Sequence, residues 1–306
     1  MPSKEGVVGM SFMTNKDGSA IQFEQLIAHF EERSGASPLL EHCVHFEDAG
    51  AVGRYGDLSL RSAFQPLFLA DSMRAAAHEA LLRVDDDRQR SISPEQAFRI
   101  PKTPERIVHF DRLCRTIHAI NFAAQAGPDA VLYLNVDGRH LLNVQGGTHG
   151  TFFEALLGHC GLRPGQVVLE ILESRINDFG RLTEAIAAYL QRGFGIAIDD
   201  FGCRNSNFDR LWRLSPDIVK LDRSLIVQST ANPRARKILP KLVEIIHDLG
   251  ARVVCEGIET VSQHSLAVDA GVDMLQGYLY ARPAERLQHR PTSPMAGTAA
   301  RHPPGF

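Results

Sequence analysis

Asp199 and Asp200 stand side by side at the end of a short apolar run, Gly195-Ile-Ala-Ile-Asp-Asp-Phe-Gly202. Ile196, Ala197 and Ile198 fit a strand buried on both faces, and Gly202 allows the sharp turn that would follow. A second run, Asp217-Ile-Val-Lys-Leu-Asp222, carries Lys220 in its interior. A lysine is seldom placed in a buried strand without a partner. Two carboxylates on one strand and an ammonium on the next suggest a divalent-metal site with a charged neighbour. A helix-capping aspartate beside a salt bridge would account for these residues equally well. Other apolar runs are interrupted in the same way, by Glu79 and Arg83, by Asn135, by Glu170 and Glu173, by Glu256 and Glu259, and by Gln276.

The elements that must position these residues follow from periodicity. Eight strands are predicted, at 61–69, 74–84, 131–137, 166–173, 195–200, 217–222, 252–258 and 274–280. Amphipathic helical patterns lie between most of them, at 107–122, 152–159, 182–191, 235–249 and 261–270, with a shorter one at 208–214. Alternating strand and helix implies parallel strands joined by crossovers, and eight of them suggest a closed (β/α)8 barrel. Only Ala70 to Met73 separate the first two strands, too few residues for a crossover, so this pair must be an antiparallel hairpin. The expected fold is therefore a TIM-like barrel with an antiparallel first strand.

In such a barrel the site lies at the C-terminal face of the strands, where the acids would converge. Six or more would repel one another unless cations were bound. An oxygen-only ligand set without histidine favours Mg2+ or Mn2+ over zinc. Two ions bridged by Asp199 suit in-line hydrolysis of a phosphodiester. Asp200 would stand on one side, with Glu79, Asn135 and Glu170 on the other. Lys220 would orient the attacking water or neutralise developing charge. It could serve as a base only if the cations depress its pKa.

Outside this region the chain is plainer. Residues 1–58 form an unassigned N-terminal segment with a helical pattern at 21–33 and a polar stretch at 34–57 read as loop. Within that stretch Glu41, His42, Cys43 and His45 match no zinc spacing. Residues 59–285 form the barrel domain, and 286–306, rich in proline, glycine and small polar residues, are expected to be a disordered tail. The net charge of −3 argues against DNA as a partner. No apolar run is long enough to span a membrane, and the five cysteines show no CxxC pair, which together suggest a cytoplasmic protein. No GxxxxGK[ST], GxSxG or HExxH motif is present, and Gly146-Gly147 reads as a flexible loop.

The quoted residues resemble the EAL-domain family of cyclic-di-GMP phosphodiesterases. Its naming motif appears as Glu79-Ala80-Leu81, extended to Arg83, after Phe64-Gln65-Pro66. Asn135 follows in LNVD, then Glu170 and Glu173 in LEILES, then Asp199-Asp200-Phe201-Gly202. Lys220-Leu221-Asp222, Glu256-Gly257-Ile258-Glu259 and Gln276-Gly277-Tyr278-Leu279 complete the set. The separations of 21, 36 and 20 residues from Asp199 through Lys220 and Glu256 to Gln276 are also similar to the family's. The resemblance implies hydrolysis of cyclic-di-GMP to linear pGpG with two Mg2+ or Mn2+ ions, and a homodimer. It implies that Glu79, Asn135, Glu170 and Asp199 bind one ion, and that Asp199, Asp200 and Glu256 bind the other. Lys220 would assist the water. Gln65, Leu81, Arg83, Asp222 and Gln276 would hold the dinucleotide, and Glu173 and Glu259 would brace loops. The chain departs from the family at Cys203-Arg204-Asn205-Ser206-Asn207-Phe208, where Thr-Gly-Tyr-Ser-Ser-Leu is usual, at Leu172 for threonine and at Asp137 for serine. These changes spare the inferred ligands. They leave open a receptor that binds cyclic-di-GMP without turning it over. No GGDEF motif is present, so cyclase activity has no support.

Overall fold

The computed structural model describes residues 43–48, 50–144, 149–171, 178–202 and 208–292. Eight strands close a mixed barrel: β3 (Leu58–Leu69), β4 (Ala75–Asp85), β6 (Val131–Val136), β7 (Val167–Ile171), β8 (Gly195–Phe201), β9 (Ile218–Leu221), β10 (Arg252–Cys255) and β11 (Met274–Leu275). β3 runs antiparallel to both its neighbours, β4 and β11, and the remaining contacts around the ring are parallel. The short link between β3 and β4 dictates that reversal, as the spacing requires.

Helices α1 (Pro94–Phe98), α2 (Pro104–Ala123), α3 (Gly138–Asn143), α4 (Thr151–His159), α5 (Phe179–Gln191), α6 (Phe208–Leu214), α7 (Arg223–Ala231), α8 (Pro233–Asp248) and α9 (Val261–Asp269) occupy the connections. α2 is the longest and most buried. Thr103 caps its start, and Phe110, Leu113, Ile117, Ile120 and Phe122 seal it against the sheet. A buried ion pair, Arg115 with Asp111, sits on the same helix, and the free Asp111 oxygen accepts the Asp137 N–H. That bond ties α2 to the loop leaving β6.

Two regions differ from the sequence reading. The polar stretch at 34–57 holds a hairpin, β1 (Val44–Glu47) and β2 (Gly50–Tyr55), which extends the sheet beyond the barrel by pairing with β3. Its strands are short and glycine-broken, so alternation is too weak to register. Asn121 on α2 fixes the hairpin, bonding both the N–H and the C=O of Ala51. His45 lies in β1, so it belongs to a strand rather than a metal loop. The stretch expected as tail begins with packed residues: Gln288 C=O meets His78 Nε2, Leu287 N–H donates to Gln125, and Thr292 bonds Tyr280. Strands read as 252–258 and 274–280 end at Cys255 and Leu275, where Gly257 at φ +63° and a turn closed by Tyr280 N–H on the Gly277 carbonyl follow. The helical pattern at 21–33, Glu41, His42, Gly146-Gly147 and residues 293–306 lie outside the described residues. One short strand, β5 (Ser91–Ile92), and three helices, α1, α3 and α7, had no strong periodicity to announce them.

Candidate metal centre and substrate cavity

The barrel interior is built in steps of two residues, as strand alternation requires. Leu67, Ala77, Tyr133, Val168, Ala197, Ile218, Val254 and Met274, one from each strand, pack together as an apolar plug. Two residues nearer the C-terminal face, each strand or the residue just past its end carries a polar side chain instead: Gln65, Glu79, Asn135, Glu170, Asp199, Lys220, Glu256 and Gln276. For the reversed strand β3 the step runs backwards in sequence, from Leu67 to Gln65. Glu79, Asn135, Glu170, Asp199, Lys220, Glu256 and Gln276, which interrupted the apolar runs, thus join Gln65 in one shell resting on an apolar floor.

Lys220 stands at its centre and is 1% exposed. Its ammonium lies 2.5 Å from Glu170 Oε1, 2.5 Å from Glu256 Oε1, 3.4 Å from Glu79 Oε2 and 3.4 Å from Asp199 Oδ1. Glu79 is further held from both sides. Asn135 Nδ2 donates to Oε1 at 3.1 Å, and Gln276 Nε2 donates to Oε2 at 2.8 Å. Gln65, opposite Glu79 in the β3–β4 register, donates to the Ala281 carbonyl.

The two aspartates need a device, since adjacent strand residues normally face opposite ways. β8 carries one extra residue between Ile198 and Phe201 relative to β9, which is a β-bulge. Asp200 takes a left-handed backbone, φ +55°, within it. The result brings oxygens of Asp199, Asp200 and Glu256 within 4.8 Å of one another. Gly202 follows at φ +97°, where a Cβ would come within 2.2 Å of Leu225. Only glycine fits this exit from the bulge.

The electrostatics are unbalanced. Burial raises the Glu170 carboxyl well above its usual range, and Glu79 adds to this, against Lys220. Burial, opposed by Lys220 but aided by Asp199, pushes Glu256 up to about 8. Glu79 goes the other way: burial would raise it, but Lys220 and the bonds from Gln276 and Asn135 hold it low. Burial alone would lower Lys220, but Asp199, Glu170, Glu256 and Glu79 together raise it well above the ordinary lysine value. Four acids thus share one ammonium. Beyond the shared Lys220 ammonium, both Glu170 oxygens and Asp199 Oδ1 meet no hydrogen-bond donor among the described residues. Buried carboxylate oxygens without donors are costly unless a cation takes their place. The donor set, all oxygen, fits hard divalent cations.

A cavity of about 270 Å3 opens over this shell, lined by Gln65, Glu79, Asp199, Lys220, Glu256 and Gln276 together with Arg223, Gly257, Glu259, Gly277 and Tyr278. In the sequence Arg223 was not singled out, and Tyr278 was quoted in its motif without a role. Each directly follows or neighbours a motif residue, so proximity was the only available signal. Other expectations are placed differently. Asp222 is the N-cap of α7, its Oδ1 accepting the Ser224 N–H, and it does not line the cavity. The sequence offers a capping reading for any aspartate that precedes a helix, and here that reading holds. Leu81 and Arg83 lie farther along β4, with Arg83 exposed and bonded to the Leu82 carbonyl, outside the cavity wall. Glu259 pairs with Arg223 at 2.6 Å. Glu173, Leu172 and residues 203–207 lie outside the described residues.

A family model described as the EAL domain matches residues 56–283, most of the chain. The chain belongs to the EAL-domain family. Among curated relatives, the cyclic di-GMP phosphodiesterase RocR of Pseudomonas aeruginosa is 34% identical over 130 residues, covering 42% of this chain and 33% of RocR. The EAL-domain protein YkuI of Bacillus subtilis, solved in complex with cyclic-di-GMP and calcium, superposes with a TM-score of 0.65 at 27% identity, covering 76% of this chain and 57% of that one. BlrP1 of Klebsiella pneumoniae, solved with manganese and cyclic-di-GMP, shares the fold at a TM-score of 0.66 and 24% identity, covering 86% and 67% respectively. The EAL chain described here spans between 17% and 56% of the length of the curated relatives it matches. Among its described residues no helix is long and apolar enough to cross a membrane.

Proposed function

We propose that this EAL domain hydrolyses cyclic-di-GMP to linear pGpG with Mg2+ or Mn2+ at the polar shell. The observation that carries the reading is the excess of buried carboxylate around Lys220, whose single ammonium is shared by Glu79, Glu170, Asp199 and Glu256. The name of RocR and the cyclic-di-GMP complex of YkuI support the substrate.

Glu79, Asn135, Glu170 and Asp199 would hold one ion, and Asp199, Asp200 and Glu256 the other. When bound, such a pair polarises the phosphodiester, lowers the pKa of water and stabilises the leaving oxygen. The chain's own contribution is positioning. Asn135 and Gln276 fix both oxygens of Glu79 before any ligand arrives. The bulge in β8 aims two consecutive carboxylates into one space. Lys220, ringed by four acids, is a fixed positive charge beside the reacting phosphate and a donor that orients the attacking water. Gln65 at the cavity wall, and Leu81 and Arg83 beyond it, would hold the dinucleotide.

The test is direct. Pure protein is incubated with cyclic-di-GMP and Mg2+ or Mn2+, and pGpG is sought by chromatography. Product that disappears with chelator and returns with metal is expected. Binding without product would give the receptor reading, and full turnover in excess chelator would remove the two-metal mechanism.

A further inference from the structure

The cavity presents a cation that the shell does not consume. Lys220 is committed to four carboxylates. Of the other described residues lining the cavity, Arg223 alone carries positive charge, against Glu79, Asp199, Glu256 and Glu259. Its side chain is half-exposed. It is also held in place. The Arg223 stem runs over Gly257, which sits at φ +63°, and a Cβ there would come within 2.5 Å of Arg223 Cβ and Cγ. The terminal nitrogen meets Glu259 Oε2 at 2.6 Å. Glu259 in turn is fixed through its own N–H, which donates to Gln263 on α9. Two loops, after β9 and after β10, thus hold one guanidinium at the cavity mouth.

We propose that Arg223 is a specificity-determining residue that binds a phosphate of the dinucleotide, with Glu259 as the pre-organising and competing anion. The inference rests on the cyclic-di-GMP reading and adds a residue to it. Three facts carry it. A guanidinium offers five donors in a planar fork, so it can accept a phosphate edge while one donor stays on Glu259. The stem is clamped, so little side-chain entropy remains to be lost on binding. The Arg223–Glu259 pair is open to water, where an ion pair contributes little net stability, so exchange of partners costs little. Among the described ion pairs Arg223 makes one with Glu259 and none with the carboxylate shell. Its effect should therefore fall on binding rather than on the chemical step.

The experiment measures cyclic-di-GMP affinity by calorimetry with Ca2+, and steady-state hydrolysis with Mn2+, for the parent, Arg223→Gln, Arg223→Lys, Glu259→Gln and the double variant Arg223→Gln/Glu259→Gln. Arg223→Gln is expected to raise Kd and KM about tenfold with a much smaller change in kcat. Arg223→Lys should recover part of the loss, because a point charge remains without the fork. Glu259→Gln should tighten binding when Arg223 is present and change nothing when it is absent. A fall in kcat at constant KM, equal affinities for parent and Arg223→Gln, or a Glu259→Gln effect that persists without Arg223 would each overturn the assignment. A parent that binds cyclic-di-GMP while Arg223→Gln binds equally well refutes the assignment alone. A parent that neither binds nor hydrolyses refutes the substrate reading and the assignment with it.

Discussion

Lys220 shows how a residue's chemistry follows from its neighbours. An isolated buried ammonium would lose its proton, but four carboxylates within 3.4 Å keep it charged. Replacing it with alanine leaves those acids facing one another. Hydrolysis should slow by about 10²-fold or more, the usual loss for a positioned charge-stabilising or proton-handling group. The metal-free protein should also lose about 3 kcal/mol or more, as expected when one partner of a buried ion cluster is removed. Because divalent ions supply the missing positive charge, Mn2+ should restore most of the melting temperature but not the rate. Melting curves with and without Mn2+, beside initial rates, separate the two effects. A Lys220→Ala variant that hydrolyses at the parent rate would make the lysine structural. At this scale the sequence was legible wherever a charged residue broke an apolar run, as with Glu79, Glu170 and Lys220. Asp222 was ambiguous because the same carboxylate serves equally as a ligand or a cap, and the start of α7 shows the cap.

Elements set the aim of these side chains through features that periodicity does not encode. The bulge in β8 and the left-handed Asp200 depend on one unpaired residue, invisible in an apolar run read at period two. The hairpin β1–β2 was lost because glycine interrupts it. By contrast, α2, α5 and α8 were found within a few residues, since their apolar stripes are long. The loops after β10 and β11 add a constraint that no periodicity shows. Ile258 N–H donates to the Gln276 carbonyl, and Leu279 N–H donates to the Ile258 carbonyl, so the two loops are zipped together. Gly277 sits between these bonds, and a Cβ there would lie 2.1 Å from Ile258 O and 2.3 Å from Ile258 N. The obstruction is backbone, so no side chain can rotate away. Gly277→Ala should push apart the loops that carry Glu256, Glu259, Gln276 and Tyr278. The expected cost is about 2–4 kcal/mol of stability, in the range of forced overpacking, with a larger proportional loss of cyclic-di-GMP affinity. Denaturant melts and calorimetry check both, and parent-like values would show that the loops can part freely.

On the scale of the whole molecule, barrel closure converts eight separate strand positions into one charged shell on an apolar floor. The reversed first strand was readable from a four-residue link, and the convergence of the acids followed from the fold. What the order of residues could not show is the imbalance: four acids around one ammonium, with Glu170 wholly buried and that shared ammonium its donor among the described residues. That imbalance predicts a trade between stability and binding. Glu170→Gln removes a buried carboxyl whose ionisation is opposed by burial and by Glu79, while keeping its shape and volume. The metal-free variant should therefore melt at the parent temperature or above it. The parent should gain several degrees in Mn2+, since a ligand at about 100 times its Kd adds about 2.7 kcal/mol to the folded state. The variant should lose most of that gain and its hydrolytic activity, because a neutral amide replaces a charged ligand oxygen. Differential scanning calorimetry across a Mn2+ titration reads both arms. A Glu170→Gln protein that melts well below the parent without metal would mean that the carboxyl is a satisfied structural group. One that keeps the full metal-induced rise would mean that the ions bind without Glu170, and the assignment of the first site would fall.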